Sequence, residues 1–544
     1  MNKSQPAINL EEYESNVQYQ DDTRIDDDIT DDDECDALIS SDKRKLSPDT
    51  KKSKASSRKS SNKAESKGQT SQKQEKNRKD LSPIEWVQRL FTLFDRSYMW
   101  VMTVSYFIQG FKVFIDLSVM DLFKQYLKLE PAEMQVLTSI INMPWSLKVF
   151  YGLIADNVPI YGSKRRSYIA INGFLQFVFL MPLVPDLIYE KHIITFFLTL
   201  YAVNVAFNDS IIDALMVMQA RRDPVNGSQD LNSYSWIWLA FGGITGSISA
   251  GFLTQYLNPH TSFLICGLLG LSICLLGFLM NKDIDKDGNR EIQQGPNKQD
   301  FRRNMVAIKK ALKTPQIYKT LTYFVLCGLL VPRFGDVSYF FQLNVLGFSK
   351  MTYSLLTLVS FVSLLFGTMV YNKYFQDWEF RSLLQLAQLC CLFGATCNLI
   401  LVLRWNTSYI NDLAFVFFTN IISDTMSLAF SYLPTVVLFT KITPYSVEAT
   451  IFATLTGAYN FAQNVGGPLL GSLFCHLIGV DSQHLDRYYL LIMIQILAIS
   501  FTFFYIWFVP TKADINKAQQ EQIKEHEEEE RMSLLKNDKQ SDEL

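Results

Sequence analysis

The sequence is poor in the residues that build catalytic and metal centres. Five of its 544 residues are histidine, and these lie near the ends of apolar runs or in a charged tail. There is no Cys-x-x-Cys pair, no His-Glu-x-x-His motif and no glycine-rich phosphate loop. All but one of the eight cysteines lie within apolar runs, where cysteine behaves as a small hydrophobic residue. We therefore expect no metal site, no cofactor and no enzymatic activity.

Charge is also missing from a series of long stretches in the middle of the chain. Apolar runs of about 18 residues or more match the ~30 Å hydrocarbon core of a bilayer. No cleavable signal peptide precedes the first run, so we expect that run itself to direct membrane insertion. We predict an all-α polytopic membrane protein whose twelve transmembrane helices lie at 99–121, 133–154, 167–187, 192–218, 233–257, 261–281, 318–343, 351–372, 382–403, 411–439, 446–478 and 486–509.

Both ends of the chain are charged and nearly free of apolar runs. Residues 1–95 form a tail that is first acidic and then basic, and residues 511–544 form a second charged tail. Such compositions bury too little apolar area to fold, so we predict that both tails are disordered. The loops on the side of the termini carry more lysine and arginine than the opposite loops, which predicts that both termini are cytosolic.

The tails suggest two further partners. The basic block next to the first apolar run predicts contact with anionic membrane lipid, with a solvated spacer as the alternative. In the second tail Glu530 stands four residues before the pair Leu534 and Leu535, which resembles cytosolic sorting signals read by adaptor proteins. The plasma membrane and an endolysosomal or vacuolar membrane are therefore both candidate locations.

The apolar runs contain an internal repeat. Adding 215 to positions 152, 166 and 209 gives 367, 381 and 424, so that Gly152 corresponds to Gly367, Arg166 to Arg381 and Asp209 to Asp424. Two parallel six-helix units explain a constant offset of this kind. We predict an N-terminal half at 96–281, a cytosolic central loop with an amphipathic helix at 282–317, and a C-terminal half at 318–510.

The loop after the second run carries a known pattern. Gly152 and Asp156, followed by Lys164, Arg165 and Arg166, resemble the signature loop of the major facilitator superfamily. The resemblance implies the fold of that superfamily and a gating role for this loop, although the second copy has tyrosine at 371 where the first has aspartate. The gating candidates are Lys148, Gly152, Asp156, Arg165, Arg166 and Glu448.

Further motifs narrow the resemblance. Pro144 and Trp145 with Lys148, leading into the signature loop, look like the folate-biopterin transporter family. Other positions that resemble it are Tyr106 to Gly110, Leu127 to Glu133, Asp209 to Ala214, Pro332 with Asp336, Leu346 to Ser349, Pro434, Pro444 with Glu448 to Thr450, and Asn460 before Gly466 and Gly467. The resemblance covers about residues 98–510. It implies transport of folate, biopterin or a related pteridine by alternating access, with proton symport as a further implication. S-adenosylmethionine or another small organic solute is the alternative substrate.

Polar side chains inside the apolar runs are the candidate site. A charge at the bilayer centre costs at least ~2.5–3.5 kcal/mol, so an intramembrane carboxylate marks a functional site by default. Gln109, Lys112 and Asp116 share one helix face, and Asp209 and Asp213, one turn apart, share another. The predicted substrate-binding residues are Gln109, Lys112, Asp116, Asn208, Asp209, Asp213, Arg333, Asp336 and Asp424.

The charges suggest a role for each group. Lys112 and Arg333 would meet an anionic part of the substrate, while the carboxylates and amides would bond the pterin ring, with Tyr106 or Phe340 stacked on it. The alternative is that Lys112–Asp116 and Arg333–Asp336 are ion pairs that only neutralise each other.

Two carboxylates one helical turn apart resist joint ionisation. We therefore predict that Asp209 and Asp213 couple transport to protons. A membrane scaffold or receptor is the less favoured class, because a scaffold does not require intramembrane carboxylates matched between two repeats. Nothing in the sequence predicts a nucleic-acid partner.

Overall fold

A computed structural model describes residues 82–163, 165–220, 222–223, 227–256, 258–281, 306, 309–375, 378–443, 448–518, 520–521 and 524. The predicted lipid-binding block, most of the predicted central loop, and the sorting-signal residues Glu530, Leu534 and Leu535 lie outside these residues.

The described residues fold into α-helices joined by loops and by short π-helical and 3₁₀ segments, with no β-strand among them. This confirms the all-α prediction. The helices are α1 Pro83–Leu93, α2 Arg96–Phe111, α3 Val113–Asp121, α4 Pro131–Asn142, α5 Lys148–Asn157, α6 Arg166–Leu180, α7 Lys191–Ala220, α8 Gly227–Tyr256, α9 His260–Leu279, α10 Pro315–Leu330, α11 Gly335–Asn344, α12 Lys350–Val370, α13 Phe380–Val402, α14 Asp412–Ser427, α15 Leu433–Ile442, α16 Glu448–Phe461, α17 Gly467–Ile478 and α18 Tyr488–Thr502.

Several predicted membrane spans are interrupted helices. In the second span, α4 and α5 are separated by the 3₁₀ segment Met143–Leu147, which contains Pro144. A proline inside a helix removes a backbone hydrogen bond and bends the chain. Among the described residues, seven helical segments are long and apolar enough to cross a membrane: Lys191–Ala220, Asp230–Leu253, His260–Leu279, Pro315–Asn344, Lys350–Gly367, Phe380–Val402 and Leu485–Ala518. The number of twelve crossings stays a prediction.

The seventh predicted span breaks at Pro332. The residues between α10 and α11 are not helical, so their backbone groups need other partners. Arg333 donates its backbone N–H to the carbonyl of Gly467 at 3.0 Å, and the carbonyl of Pro332 accepts from the side chain of Gln495 at 3.0 Å. The break is therefore a built feature, held by helices α17 and α18.

The outward faces of the helices are apolar. Large side chains such as Trp100, Phe196, Phe252, Phe393 and Phe504 are about half exposed or more. Water would penalise an exposed apolar surface that extends over so many helices, whereas lipid would not.

Small residues bring α2 and α8 into backbone contact. A Cβ atom added to Gly110 would lie 1.9 Å from the carbonyl oxygen of Leu239, and one added to Gly242 would lie 2.0 Å from that of Phe107. Glycine is thus required on both helices, as at other close crossings of membrane helices.

The two halves share one apolar core at one end of the bundle and have separate cores at the other. We call the end with residues 127–130, 345–349 and 479–487 the loop end, and the end that holds α1 the α1 end. At the loop end, buried residues from both halves, such as Phe123 and Phe340, belong to one cluster. At the α1 end, the cluster around Tyr98 draws only on the first half, and the cluster around Phe324 only on the second. Apolar packing therefore joins the halves mainly at the loop end.

Replacing Gly110 by alanine should destabilise the protein. The new methyl group would overlap a backbone oxygen of α8, and overpacking of this kind costs about 1–3 kcal/mol. We expect a lower melting temperature for purified Gly110→Ala. Gly152→Ala is the control, because no described atom lies within 4 Å of the added Cβ. Equal melting temperatures for the two variants would contradict the close crossing of α2 and α8.

Candidate functional site

Lys148 stands between the two carboxylates of α7. It is the first residue of α5, directly after the 3₁₀ segment that contains Pro144, and this interruption points its side chain towards α7. Its Nζ forms a short ion pair with Asp209 and lies 3.5 Å from Oδ2 of Asp213. We call Lys148, Asp209 and Asp213 the charge cluster.

The remaining oxygens of the cluster are held by α2. Gln109 donates from Nε2 to Oδ1 of Asp209 at 2.8 Å, and Tyr106 donates its hydroxyl to Oδ1 of Asp213 at 2.8 Å. These donors lie three positions apart and so share a face of α2. Each carboxylate therefore receives bonds from α5 and from α2, which fixes its orientation. Tyr106, predicted as a stacking residue, is instead a hydrogen-bond donor here.

The charge cluster carries one net negative charge when both carboxylates are ionised. Burial makes this costly, because an uncompensated charge in a membrane interior is strongly disfavoured. The side chains of Asp209 and Lys148 are 9% and 12% exposed, whereas that of Asp213 is 39% exposed. The site can accept one proton or one cationic group, and Asp213 is its accessible member.

Aromatic rings surround the lysine. The ring of Trp145 lies with its centroid 5.3 Å from Nζ of Lys148, a cation–π distance. Tyr432, from the second half, interacts electrostatically with the lysine and contacts the ring of Trp236 at 5.4 Å between centroids. The cluster thus belongs to the first half, but it borders the second.

Lys112 and Asp116 bond to each other. Nζ of Lys112 lies 2.6 and 2.8 Å from the two oxygens of Asp116, one turn along the chain. The alternative of a self-neutralising pair therefore describes these two residues as they stand in this structure. They do not contact the charge cluster through any bond among the described residues.

Arg333 and Asp336 do not form the ion pair that was the alternative for them. The helix begins only at Gly335, and among the described residues neither side chain has a charged partner. Asp336 is buried and accepts a hydrogen bond from the hydroxyl of Thr138 at 2.9 Å. Arg333 is exposed and donates to the side chain of Gln463. Of these two, Arg333 has the charge that is open to an anionic ligand.

Arg166 and Arg381, the matched arginines of the repeat, make the same kind of contact. Arg166 donates to the carbonyls of Gly277 and Phe278, at 3.2 and 2.5 Å. Arg381 donates to the carbonyl of Val509 at 2.6 Å. Each arginine thus binds the end of the last helix of its own half, which is structural support for the repeat.

Five predicted residues remain, namely the gating candidates Gly152, Asp156, Arg165 and Glu448 and the substrate-binding candidate Asp424. Arg165 precedes the first residue of α6. Gly152 has open space where a side chain would lie. The side chains of Asp156, Asp424 and Glu448 fall outside what the structure describes, and the roles assigned to all five residues stay predictions.

Gln135 was not singled out in the sequence, yet it joins the halves at the loop end. Its Nε2 donates to the carbonyl of Arg333 at 2.8 Å, inside the break between α10 and α11, and to that of Pro468 at 2.6 Å. Ser472 donates back to the carbonyl of Ala132 at 2.7 Å. In the sequence Gln135 is an amide within an apolar run, and this does not reveal that it bonds to Arg333, 198 positions away.

One ion pair with a buried carboxylate and one hydrogen bond complete this closure. Lys350 lies 2.7 Å from the fully buried carboxylate of Asp121, and Glu130 accepts from the backbone N–H of Ser482 at 2.7 Å. Both contacts link the first half to the second. The structure is therefore closed at the loop end by polar as well as apolar contacts.

Comparison with known proteins gives a consistent family. The sequence model of the BT1 family matches residues 109–530. "Probable folate-biopterin transporter 4" of Arabidopsis thaliana is 26% identical over 486 residues, which is 79% of this chain and 99% of that protein. "Folate-biopterin transporter" of Synechocystis sp. is 28% identical over 396 residues, covering 72% and 77%. "Folate transporter 1" of Plasmodium falciparum is 23% identical over 419 residues, covering 76% of this chain and 79% of that protein.

Solved structures show the same fold at low identity. The nucleoside transporter NupG superposes with a TM-score of 0.56 at 12% identity, covering 76% of this chain and 98% of that one. A D-xylose-proton symporter superposes with a TM-score of 0.53 at 14% identity, covering 77% and 98%. These likenesses confirm the predicted major facilitator fold.

Replacing Lys148 by methionine should be far more damaging than the same change at Lys112. Removing one partner of a buried ion pair costs about 3–5 kcal/mol, because the other charge stays buried. Lys112 pairs with a carboxylate that is 47% exposed, and exposed pairs contribute about 1 kcal/mol or less. We expect a large fall in the melting temperature of Lys148→Met and a small one for Lys112→Met. Adding Asp209→Asn to Lys148→Met should restore part of the loss, and no recovery would contradict the pairing.

Gln135→Leu should weaken closure at the loop end. Two carbonyls would lose their donor, at about 1 kcal/mol each, and the halves would separate more often. The labelling rate of the buried thiol of Cys475 would report how often the halves separate, because this thiol lies in the apolar core that they share. With the other cysteines replaced by alanine, Gln135→Leu should speed labelling of Cys475 about tenfold by a membrane-impermeant reagent.

Gln342→Leu is the matched control for this labelling. Among the described residues, the side chain of Gln342 bonds only within its own helix, to Ser338 at 3.3 Å. Equal labelling rates in the two variants would show that Gln135 does not hold the halves together.

Proposed function

We propose, since this chain belongs to the BT1 family of membrane transporters, that it moves a folate, a biopterin or a related pteridine by alternating access, in symport with a proton. The chain is an integral membrane transporter and not an enzyme. The observation that carries the finer proposal is the charge cluster, in which two carboxylates share one lysine inside the helical bundle.

Proton coupling follows from the charge of the cluster. Lys148 compensates one carboxylate and leaves the other without a cation. A proton bound there would remove the net charge, and its loss would restore it, so the two protonation states differ in their cost within the membrane. Asp213 is the better carrier, because it is the more exposed carboxylate and lies farther from the lysine.

The polar groups around the cluster suit a pteridine. Ionised carboxylates accept the paired N–H groups of an aminopyrimidine, and amides can both donate and accept. Arg333, exposed at the break in the seventh predicted span, would bind an anionic tail of the solute. Lys112 would do so only if its bond to Asp116 opens.

A cationic solute such as S-adenosylmethionine is the second candidate. The net negative charge of the cluster favours it, because a bound cation would replace the coupling proton. From the distribution of lysine and arginine, we also propose that both termini are cytosolic.

Uptake assays separate the two candidates. Cells without their own carriers should be tested with folic acid, biopterin and S-adenosylmethionine at two external pH values. A pteridine carried with a proton should enter faster at the lower pH. Uptake of S-adenosylmethionine alone, without pH dependence, would replace the pteridine proposal, and no uptake of any of the three would refute both.

Asp213→Asn should abolish pH-driven uptake. The amide cannot bind and release a proton, and it removes the net charge of the cluster permanently. Uptake should become independent of external pH, while the protein still reaches the membrane at normal levels. Asp116→Asn is the control, because Asp116 bonds to Lys112 away from the cluster. Unchanged pH dependence in Asp213→Asn would exclude this residue as the proton carrier.

A further inference from the structure

A second polar region lies next to the charge cluster, inside the first half alone. A small cavity there is formed between helices α2, α6, α7 and α9. Ser105, Gln176, Asn208 and Asp209 line it, and its other walls include apolar side chains such as Ile273. Its size suits a guest no larger than water and excludes a pteridine.

Three residues that line this cavity each carry a polar atom without a partner among the described residues. Oγ of Ser105, Nε2 of Gln176 and Oδ1 of Asn208 form no hydrogen bond with any described residue. All three side chains are more than nine-tenths buried. A buried polar group without a partner costs about 1–3 kcal/mol, so three around one cavity indicate a missing ligand.

The chemistry of these atoms selects the ligand. The amide of Gln176 donates, the carbonyl of Asn208 accepts, and the hydroxyl of Ser105 can do either. A water molecule can accept from the first, donate to the second and bond the third. Buried waters make about three hydrogen bonds of this kind. A bare metal ion fits less well, because it would face the N–H groups of the amide.

We propose that this cavity is a binding site for one water molecule, held by Ser105, Gln176 and Asn208, which solvates the Asp209 carboxylate. All the residues that line the cavity belong to the first half. The water would therefore remain bound when the two halves move against each other. It is a resident part of the site and not cargo.

The water would tune proton coupling, and this consequence rests on the proposed function. The charged or titratable groups that face Asp209 are Lys148, Asp213, Tyr106 and Tyr432. None of them enters the cavity as a hydrogen-bond partner of its three open atoms. Removing the water would take solvation from the net negative charge of the charge cluster, so that the cluster would bind its coupling proton at a higher pH.

The site itself is tested by a high-resolution structure of the full chain in lipid nanodiscs. We expect density for one water within about 2.7–3.2 Å of the three atoms. An empty cavity, or density for lipid, would overturn the proposal. Melting curves in sodium and in choline chloride should coincide. A rise in melting temperature with sodium that Asn208→Leu abolishes would identify the guest as a metal ion and would also overturn it.

Two substitutions at one position test the effect on coupling. Ser105→Val fills the cavity, whereas Ser105→Gly removes the same hydroxyl and leaves room for water. The pH of half-maximal uptake should rise by about half a unit or more in Ser105→Val and by less in Ser105→Gly. Ser118→Val on α3 is the control, because that hydroxyl already donates to the carbonyl of Phe114 at 2.8 Å.

Equal shifts in both Ser105 variants, or none, would refute the role of the water. If the wild-type chain carries none of the solutes offered, the proposed function fails, but the density and the melting curves still decide whether water occupies the site.

Discussion

One lysine that serves two carboxylates is the interaction on which the site depends. Lys148 can neutralise Asp209 or Asp213 but not both, and the low dielectric of the membrane interior makes the remaining charge expensive. When both carboxylates are ionised, the charge cluster therefore lacks one positive charge. In the proposed symport, a proton would supply this charge reversibly, and a reversible charge would let the protein favour different conformations at different steps.

The charge cluster is built within the first half, and the bonds that join the two halves lie mainly at the loop end. The cluster is built by α2, α5 and α7 of the first half, so its internal bonds do not depend on the second half. The bonds between the halves are concentrated at the loop end, where Gln135 reaches into the break at Arg333. A broken helix has unpaired carbonyls, and a donor from the other half satisfies one of them only while that end is closed. Gln135, which bonds the two halves together at the loop end, and Lys148, which belongs to the proposed proton-coupling site, are thus different residues of the same interrupted second span.

Much of the architecture could be predicted from the apolar runs in the sequence and from their internal repeat. The long apolar runs predicted a helical membrane protein, and the constant offset that relates Arg166 to Arg381 predicted two repeated halves. In the structure these two arginines make equivalent contacts. The carboxylates of α7 were found because charge is rare in lipid-facing sequence. Lys148 was assigned to gating, although it lies in the cluster. The sequence around Lys148 does not reveal that its side chain lies next to Asp209, which is 61 positions away.

What sequence could not supply were contacts between distant polar residues. Arg333 and Asp336 lie three apart, which suggests a helical pair, but the helix is interrupted at Pro332 and resumes only at Gly335, so that Arg333 lies outside it. Gln135, Thr138 and Gln176 look like isolated polar residues until the helices pack. The number of membrane crossings also stays a prediction, because composition does not show whether the two segments of an interrupted helix together cross the membrane.

The most direct measurement of the central claim is the number of protons exchanged when substrate binds. Purified protein in weakly buffered solution, with a pH-sensitive dye, would be mixed with the transported solute. With two carboxylates and one lysine in the cluster, we expect the amount of proton taken up or released to approach one per protein and to vanish in Asp213→Asn. Binding of substrate with no proton exchange at any pH between about 5 and 8 would contradict the claim.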